Sequence, residues 1–455
     1  MTGPQSPRPA PRPLGTGQRF ARCVYNLVLA ALLPLLALWL AWRVTLGGKT
    51  RRGFMQRLGV VPPEARADAH RGTGRAIWVH AVSVGEVSVA GAIIREMLAR
   101  DDSLRILLSV TTATGHQVAS AKLTECEALF YLPIDVPLCV NAALEAMRPD
   151  MLVVVETELW PNLLDAAHRR GVRTVVCNGR VSDRSFRRSR HARWLYRWAL
   201  HCVDHVFAQS PQDAERFIAL GAREGSVTVT GSCKFDEEFP VVTPEAADAM
   251  RREYGLAPES LVWLTGSTGP GEDEPLIDAH AEARRRWPAL RMIHAPRHPE
   301  RADEVAEIIK GRGLGVIRRT EMRAGLQPEM GHDSVILLDT IGELTRLYSI
   351  CDVAFVGRSL VPLGGGNVLQ PLHYGKPVIV GRHTSNFRDT VGIAERAGVL
   401  FEAPDGPGVA RELVRLLGDE ELRASIVTRA KAVFDEHCGA SGRTAVGILR
   451  CLSGG

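Results

Sequence analysis

From Ala76 onward, short apolar runs alternate with segments of helical periodicity, and that alternation leaves few folds open. The runs AIWVHAV, RILLSVT, MLVVVET, RTVVCNG, HVFAQS and SVTVTGS come first, separated by amphipathic stretches such as Ser88 to Arg100, Asn141 to Met147 and Pro161 to Arg170. A polar linker, Asp236 to Ser260, carries Pro240, Pro244 and Pro258 about a short helix. The pattern then restarts with LVWLTGS, RMIHAPR, GVIRRT, SVILLDT, VAFVGRS, PVIVGR and GVLFEA. Apolar strands joined by helices imply βαβ units and parallel sheets. The expected class is α/β, with two halves in tandem and no sequence repeat between them. A chain of 455 residues is too long for a single core and suits two domains plus an appendage. The expected boundaries are 1–48 for a tail and hydrophobic helix, 49–238 for the first domain, and 239–455 for the linker and second domain. The last stretch, Glu420 to Leu452, reads as helix throughout.

Ahead of the alternation, a Pro-rich tail (GPQSPRPAPRP) is expected to lack structure. It is followed by Cys23 to Trp42, CVYNLVLAALLPLLALWLAW, which holds no charge. A run of this length can cross a hydrocarbon core. Arg19, Arg22 and Arg43 flank it, and Trp39 and Trp42 suit an interface. Pro34 leaves open a helix lying in one leaflet, and a buried soluble helix is the plainer alternative. Net charge is +5, a mild bias compatible with an acidic partner or a membrane surface. Nine cysteines without any C-x-x-C pair argue against a zinc site or disulfide framework and for a reducing compartment.

Ligands of open parallel sheets sit beyond the carboxyl ends of the strands. Two such domains facing each other would place a cleft between those ends, so residues just after strands carry the most information. In HAVSVGEVSVA, small residues lead to Glu86 in the first turn of a helix. There a carboxylate is either a dipole-stabilised cap or a general base thinned into view by Gly85. In VVVETELWPN an apolar strand runs directly into Glu156 and Glu158, a costly placement unless the acids are paired, capping or used. VTVTGSCKFD puts Lys234 after another strand. LTGSTGPGEDE has the composition of an anion cradle, with Ser267 and Thr268 as a candidate phosphate loop. It lacks the lysine of a Walker A loop and the G-x-G-x-x-G spacing, so a simple loop is the alternative. HAPRHPER offers Arg297, His298 and Arg301 on proline-stiffened backbone, suited to phosphate. LDTIGELTRLY places Gly342 and Glu343 at a strand–helix junction, where the acid would cap the helix or accept from ligand hydroxyls.

In VPLGGGNVLQP, Gly364, Gly365 and Gly366 precede Asn367 and Gln370. This is read as a nucleotide-phosphate seat, with backbone amides opened to the ligand and side-chain amides in the first turn of the next helix. Finally, GRVSDRSFRRSRHARWLYRW mixes Arg184, Arg187, Arg188 and Arg190 with Phe186, Trp194, Tyr196 and Trp198. It is either a solvated helix face or a contact for anionic headgroups and acceptor phosphates. Beside a hydrophobic anchor, nucleic acid is not the expected partner.

Taken in order, SVGE, YLPIDVP, ETELWPN, GRVSDRSF, GSCKFD, PRHPER, GEL, FVGRSLVPLGGGN and HTSNFRD resemble the 3-deoxy-D-manno-octulosonic acid (Kdo) transferases of Gram-negative bacteria. The resemblance runs from the hydrophobic segment to about Asp389. It implies a GT-B glycosyltransferase: two Rossmann-like domains, the acceptor in the first and the nucleotide sugar in the second, with an N-terminal membrane anchor helix. It implies inverting transfer of Kdo from CMP-Kdo to the lipid A precursor lipid IVA, with Glu86 as base and Glu156 and Lys234 stabilising the transition state. CMP would meet Pro296, Arg297, Ile341, Gly342, Glu343, Asn367, Val368, Leu369 and Gln370. No metal or other cofactor is implied. Because CMP-Kdo is cytosolic, the catalytic domains would face the cytoplasm from the inner membrane. The family's GGHNPLEP stands here as GGGNVLQP, so Gly366 replaces a histidine and Gln370 a glutamate. Its STHEGE stands here as STGPGE. Another GT-B enzyme using a UDP-sugar, or a degenerate binding protein, are the rival readings.

Overall fold

The computed structural model describes residues 11–46, 53–69, 74–189, 191–324 and 333–454, without the side chains of residues 33, 35–46, 69 and 184. The described chain forms two compact units, one running to Glu237 and resuming at His437, the other spanning Glu238–Glu436.

The first unit is built on a parallel sheet of seven strands: β1 (Ala76–Ala81), β2 (Arg105–Val110), β3 (Ala128–Tyr131), β4 (Met151–Val155), β5 (Arg173–Gly179), β6 (His205–Ala208) and β7 (Val227–Val229). Their order is β3-β2-β1-β4-β5-β6-β7. β1 and β4 are buried along their whole length because helices cover both faces, which is why they read as continuous apolar runs. β3 was absent from the expected strands; four residues, ALFY, are too short to show a period. The order reverses between β1 and β4, which pair in register from Ile77↔Met151 to His80↔Val154. A reversal opens a crevice beyond the carboxyl ends of the two strands.

The second unit repeats the plan with β8 (Val262–Thr268), β9 (Arg291–Pro296), β10 (Gly315–Arg318), β11 (Ser334–Leu337), β12 (Val353–Val356), β13 (Val378–Val380) and β14 (Leu400–Glu402). The order is β10-β11-β9-β8-β12-β13-β14, again parallel, with its reversal between β8 and β12.

Two expectations are corrected. Glu420 to Leu452 is not one helix but two, Glu420–His437 and Ala440–Ser453, broken at Gly439, whose φ of 80° favours glycine. The second of these packs in the first unit rather than with the second domain. Its N-terminal amides, Gly439 and Ser441, donate to the two carboxylate oxygens of Asp236 at 2.6 Å each. Arg443 donates to Thr230 O at 3.0 Å, and Ile448 and Leu452 join the buried cluster on the face of the sheet where the helix packs against β5 and β6.

An N-terminal helix, Thr16–Leu46, begins against the first unit. Ala21 is buried, Tyr25 donates to Asp135 at 3.0 Å, and Asn26 exchanges hydrogen bonds with Asn162. Phe20, Leu27, Val28 and Leu32 are exposed. Among the described residues no helix is long and apolar enough to cross a membrane. Much of the expected span, from Leu35 to Trp42, falls on side chains outside the description, as does the Pro-rich tail through residue 10.

Asp236→Ala leaves two N-terminal amides of the last helix without an acceptor, a cap loss of about 1–2 kcal/mol. Hydrogen exchange over 440–453 is expected to accelerate, with Asp236→Asn falling between the two; unchanged protection would show that the cap contributes nothing.

Candidate active site

At the switch point of the first sheet, β1 ends in a turn whose Ser83 starts the helix Val84–Leu98. Glu86, in the first turn, is 8% exposed. One carboxylate oxygen accepts from Val82 N–H at 2.8 Å and the other from Ser83 Oγ–H at 3.0 Å. The capping reading of Glu86 is met, since it ties the helix start, and it also sits among other acids. Burial pushes its carboxyl up to about 7; the Val82 bond opposes this, while Glu156 and Glu158 add to it.

Glu156 follows β4 with φ 59°, a left-handed conformation uncommon outside glycine. Its N–H donates to Cys177 O at 2.9 Å, and its carboxylate meets Lys234 Nζ at 3.2 Å. The structure thus brings two of the expected site residues, Glu156 and Lys234, into contact. Lys234 lies in the short turn Cys233–Asp236, which Asn178 holds by accepting Cys233 N–H at 3.0 Å. Asn178 is also left-handed, at φ 51°, and buried, with its Nδ2 unpartnered. It was not foreseen, although the Asn-Gly at the end of RTVVCNG is a signal for such a conformation. Glu158 is raised by burial, then by Glu156. Neither acid caps the helix Pro161–Arg169. That task falls to Asp135, whose oxygens accept from Asn162 N and Leu163 N at 3.1 and 2.8 Å.

In the second unit the ends of β9, β8 and β12 lie side by side. Pro296 is buried at the end of β9, and exposed Arg297 donates its N–H to Thr268 O at 3.0 Å. The candidate phosphate loop is corrected at Thr268: its hydroxyl is buried and donates to Asp273 at 2.9 Å, so it is not offered to a ligand. Ser267 is left-handed, at φ 59°. Arg301 is likewise committed, to Asp273 at 2.6 Å and to Glu304. Beyond β11, Ile341 is 84% exposed and Gly342 has a φ of 94°, with open space where a Cβ would stand. Glu343 stands at the N-cap position of the short helix Leu344–Leu347, but its side chain does not cap it and neither carboxylate oxygen is free. It accepts from Tyr254 OH at 3.0 Å, Arg319 Nε at 2.9 Å and Thr340.

The three glycines have a reason other than the expected one. Gly364 and Gly365 are left-handed, at φ 90° and 79°, and a Cβ on Gly366 would stand 2.9 Å from Val356. The amides of Gly365 and Gly366 already donate to Arg358 O and Gly357 O, at 2.7 and 3.0 Å. They are loop bonds, not open donors. Val368 and Leu369 are buried; Asn367 accepts from Leu369 N at 3.0 Å, and Gln370 is half-buried in the short helix Leu369–His373.

The arginine segment divides. Trp198 is core and donates to Asp165 at 3.2 Å, and Phe186 lies under Arg216. Arg187, Arg188 and Trp194 are exposed. Arg190 and the side chain of Arg184 lie outside the described residues.

Two further residues escaped the sequence. Glu272 is fully buried and accepts four backbone N–H groups, and Arg358 follows β12 in a left-handed conformation. The burial of Glu86 has a measurable sign. Its folded value of about 7 lies above the ordinary 4.5, so ionising it between those pH values destabilises the fold. Glu86→Gln is expected to raise stability at pH 8 by roughly 1–3 kcal/mol and to add little at pH 4, read from denaturant midpoints. A pH-independent gain would contradict the assignment.

Residues 52–237 match the family described as 3-Deoxy-D-manno-octulosonic-acid transferase (kdotransferase). The 3-deoxy-D-manno-octulosonic acid transferase of Bordetella pertussis is 36% identical over 440 residues, covering 93% of this chain and 97% of that one. That of Haemophilus influenzae is 31% identical over 391 residues, covering 86% and 88%. In fold alone, a glycosyltransferase from Rickettsia africae is similar with a TM-score of 0.57 at 12% identity, over 83% of this chain and 98% of that one. With the two doubly wound units of a GT-B protein and near full-length identity to these enzymes, the chain belongs to the Kdo transferases.

Proposed function

We propose that this Kdo transferase moves Kdo from CMP-Kdo to a hydroxyl of the lipid A precursor lipid IVA, with inversion at the anomeric carbon. The observation that carries this reading is Glu86: a buried carboxyl raised to about 7 at the switch point of the first sheet, beside a lysine-paired glutamate. Such a group accepts a proton effectively near neutral pH. In the reaction, the acceptor oxygen attacks the anomeric carbon as its proton passes to Glu86. The bond from that carbon to the phosphate oxygen breaks, and CMP leaves with the electron pair. Lys234, paired with Glu156, stabilises developing negative charge. In the second unit Arg297 takes the phosphate, while the backbone at Ile341 and Gly342 and the side chains of Asn367 and Gln370 receive the nucleoside.

Glu86→Gln is expected to abolish Kdo transfer while leaving CMP binding within about 2-fold, since it removes only the base. Wild-type kcat/KM should rise with pH and level above about 7. Turnover by the variant near the wild-type rate would remove Glu86 from this role. Arg297→Gln should raise the CMP-Kdo concentration needed for half-maximal rate by about 10-fold or more.

We further propose that the enzyme works on the cytoplasmic face of the inner membrane. Supporting this are the exposed Phe20, Leu27, Val28 and Leu32 and, on other helices, exposed Trp194, Arg187 and Arg188. Reversing Arg187 and Arg188 to Glu should lower co-sedimentation with anionic vesicles. Equal binding of both forms would return these arginines to an ordinary solvated face.

A further inference from the structure

The second unit's switch point carries a charge arrangement that the phosphate role of Arg297 does not use up. β9, β8 and β12 are neighbours, with Thr268 beside Pro296 and Gly266 beside Val356. Arg297 leaves β9 and Arg358 leaves β12, so the two residues stand on either side of β8 in the sheet order. The backbone under Arg358 is closely held. Gly357 donates to Gly266 O at 2.8 Å, and a Cβ on Gly357 would stand 2.6 Å from Ser267 O. Arg358 itself has φ 61°, a conformation costly for an arginine.

That conformation is maintained by Glu272. One of its oxygens accepts from Gly269 N and Arg358 N, at 2.7 and 2.5 Å. The other accepts from Ser359 N and Leu360 N, at 2.8 and 2.9 Å. A carboxylate filled by four amides is not turned toward a guanidinium, and neither Arg297 nor Arg358 forms an ion pair with any described residue. Arg358 makes one side-chain bond, from Nη2 to Leu363 O at 2.9 Å. Arg297 is held below its ordinary value by partial desolvation of its guanidinium and then by Arg358. Two neighbouring arginines, neither paired with an acid among the described residues, are relieved by binding anions.

We infer that Arg358 is the second anion-binding group of the donor site, taking the carboxylate of an acidic sugar while Arg297 takes the adjoining phosphate. This deepens the proposed donor reading and rests on it, since CMP-Kdo carries both anions on its anomeric carbon. It makes Arg358 a specificity residue: a donor whose sugar lacks a carboxylate leaves this guanidinium uncompensated. Glu272 is then a positioning residue, acting through the left-handed turn that aims Arg358.

The test is Arg358→Gly, which suits the positive φ and removes the side chain without straining the loop. Initial rates against CMP-Kdo, and competitive inhibition by CMP alone, are measured for wild type, Arg358→Gly and Arg297→Gln. Loss of one charge-assisted contact should raise the KM for CMP-Kdo in Arg358→Gly by about 10-fold or more, with the CMP inhibition constant moving less than about 3-fold. Arg297→Gln should weaken both. An unchanged KM in Arg358→Gly, or a parallel loss of CMP inhibition, overturns the assignment. Should Arg358→Gly fail to fold, judged by thermal melting, Arg358→Asn tolerates the same backbone and must show the same split. Wild-type protein inactive with CMP-Kdo would instead sink the donor reading itself, so the two failures are separable.

Discussion

A carboxylate withdrawn from water at the end of a parallel strand has to be stabilised by something, and the two units answer that demand differently. Glu272 fills both oxygens with four backbone amides, joining the loops after β8 and β12 into one rigid surface. Glu86 has two bonds and two acidic neighbours, and its carboxyl holds a proton to about pH 7. Full hydrogen bonding makes the first an organiser of structure. Incomplete compensation makes the second a group whose proton is easily exchanged, at the cost of stability above its titration.

Backbone strain falls at the same places. Glu156, Asn178, Ser267 and Arg358 are four of the five described non-glycine residues with positive φ, and all four stand at carboxyl ends of strands. Three of them are held by hydrogen bonds: Glu156 to Cys177, Asn178 to Cys233, and Arg358 to Glu272. Strain of this kind persists where packing over-determines the loop, and it fixes where charged side chains emerge. The pairing of Lys234 with Glu156 depends on two such residues in succession.

The strand-end rule made most of the site legible. Glu86, Glu156 and Lys234 were named from their place after apolar runs, and the structure brings the last two into contact. Failures have a common origin. The glycine run was read as open amides, yet two of those amides close the loop on Gly357 and Arg358. Thr268, Arg301 and Glu343 are the right residue types for a ligand, but their polar atoms are taken by Asp273, Tyr254 and Arg319. A sequence displays donors and acceptors without saying which are already used.

Periodicity and strand-end chemistry were enough, unaided, to specify two parallel α/β units and to single out candidate positions after their strands, because hydrophobic period and turn composition are local properties of the chain. Which acid is structural and which titratable, which arginine is paired with an acid, and where the final helix packs were settled only by tertiary structure. Those outcomes depend on contacts between residues far apart in sequence, such as Glu272 with Leu360 and Asp236 with Ser441. Burial, which sets the strength of every one of these charges, exists only once the chain has closed around them.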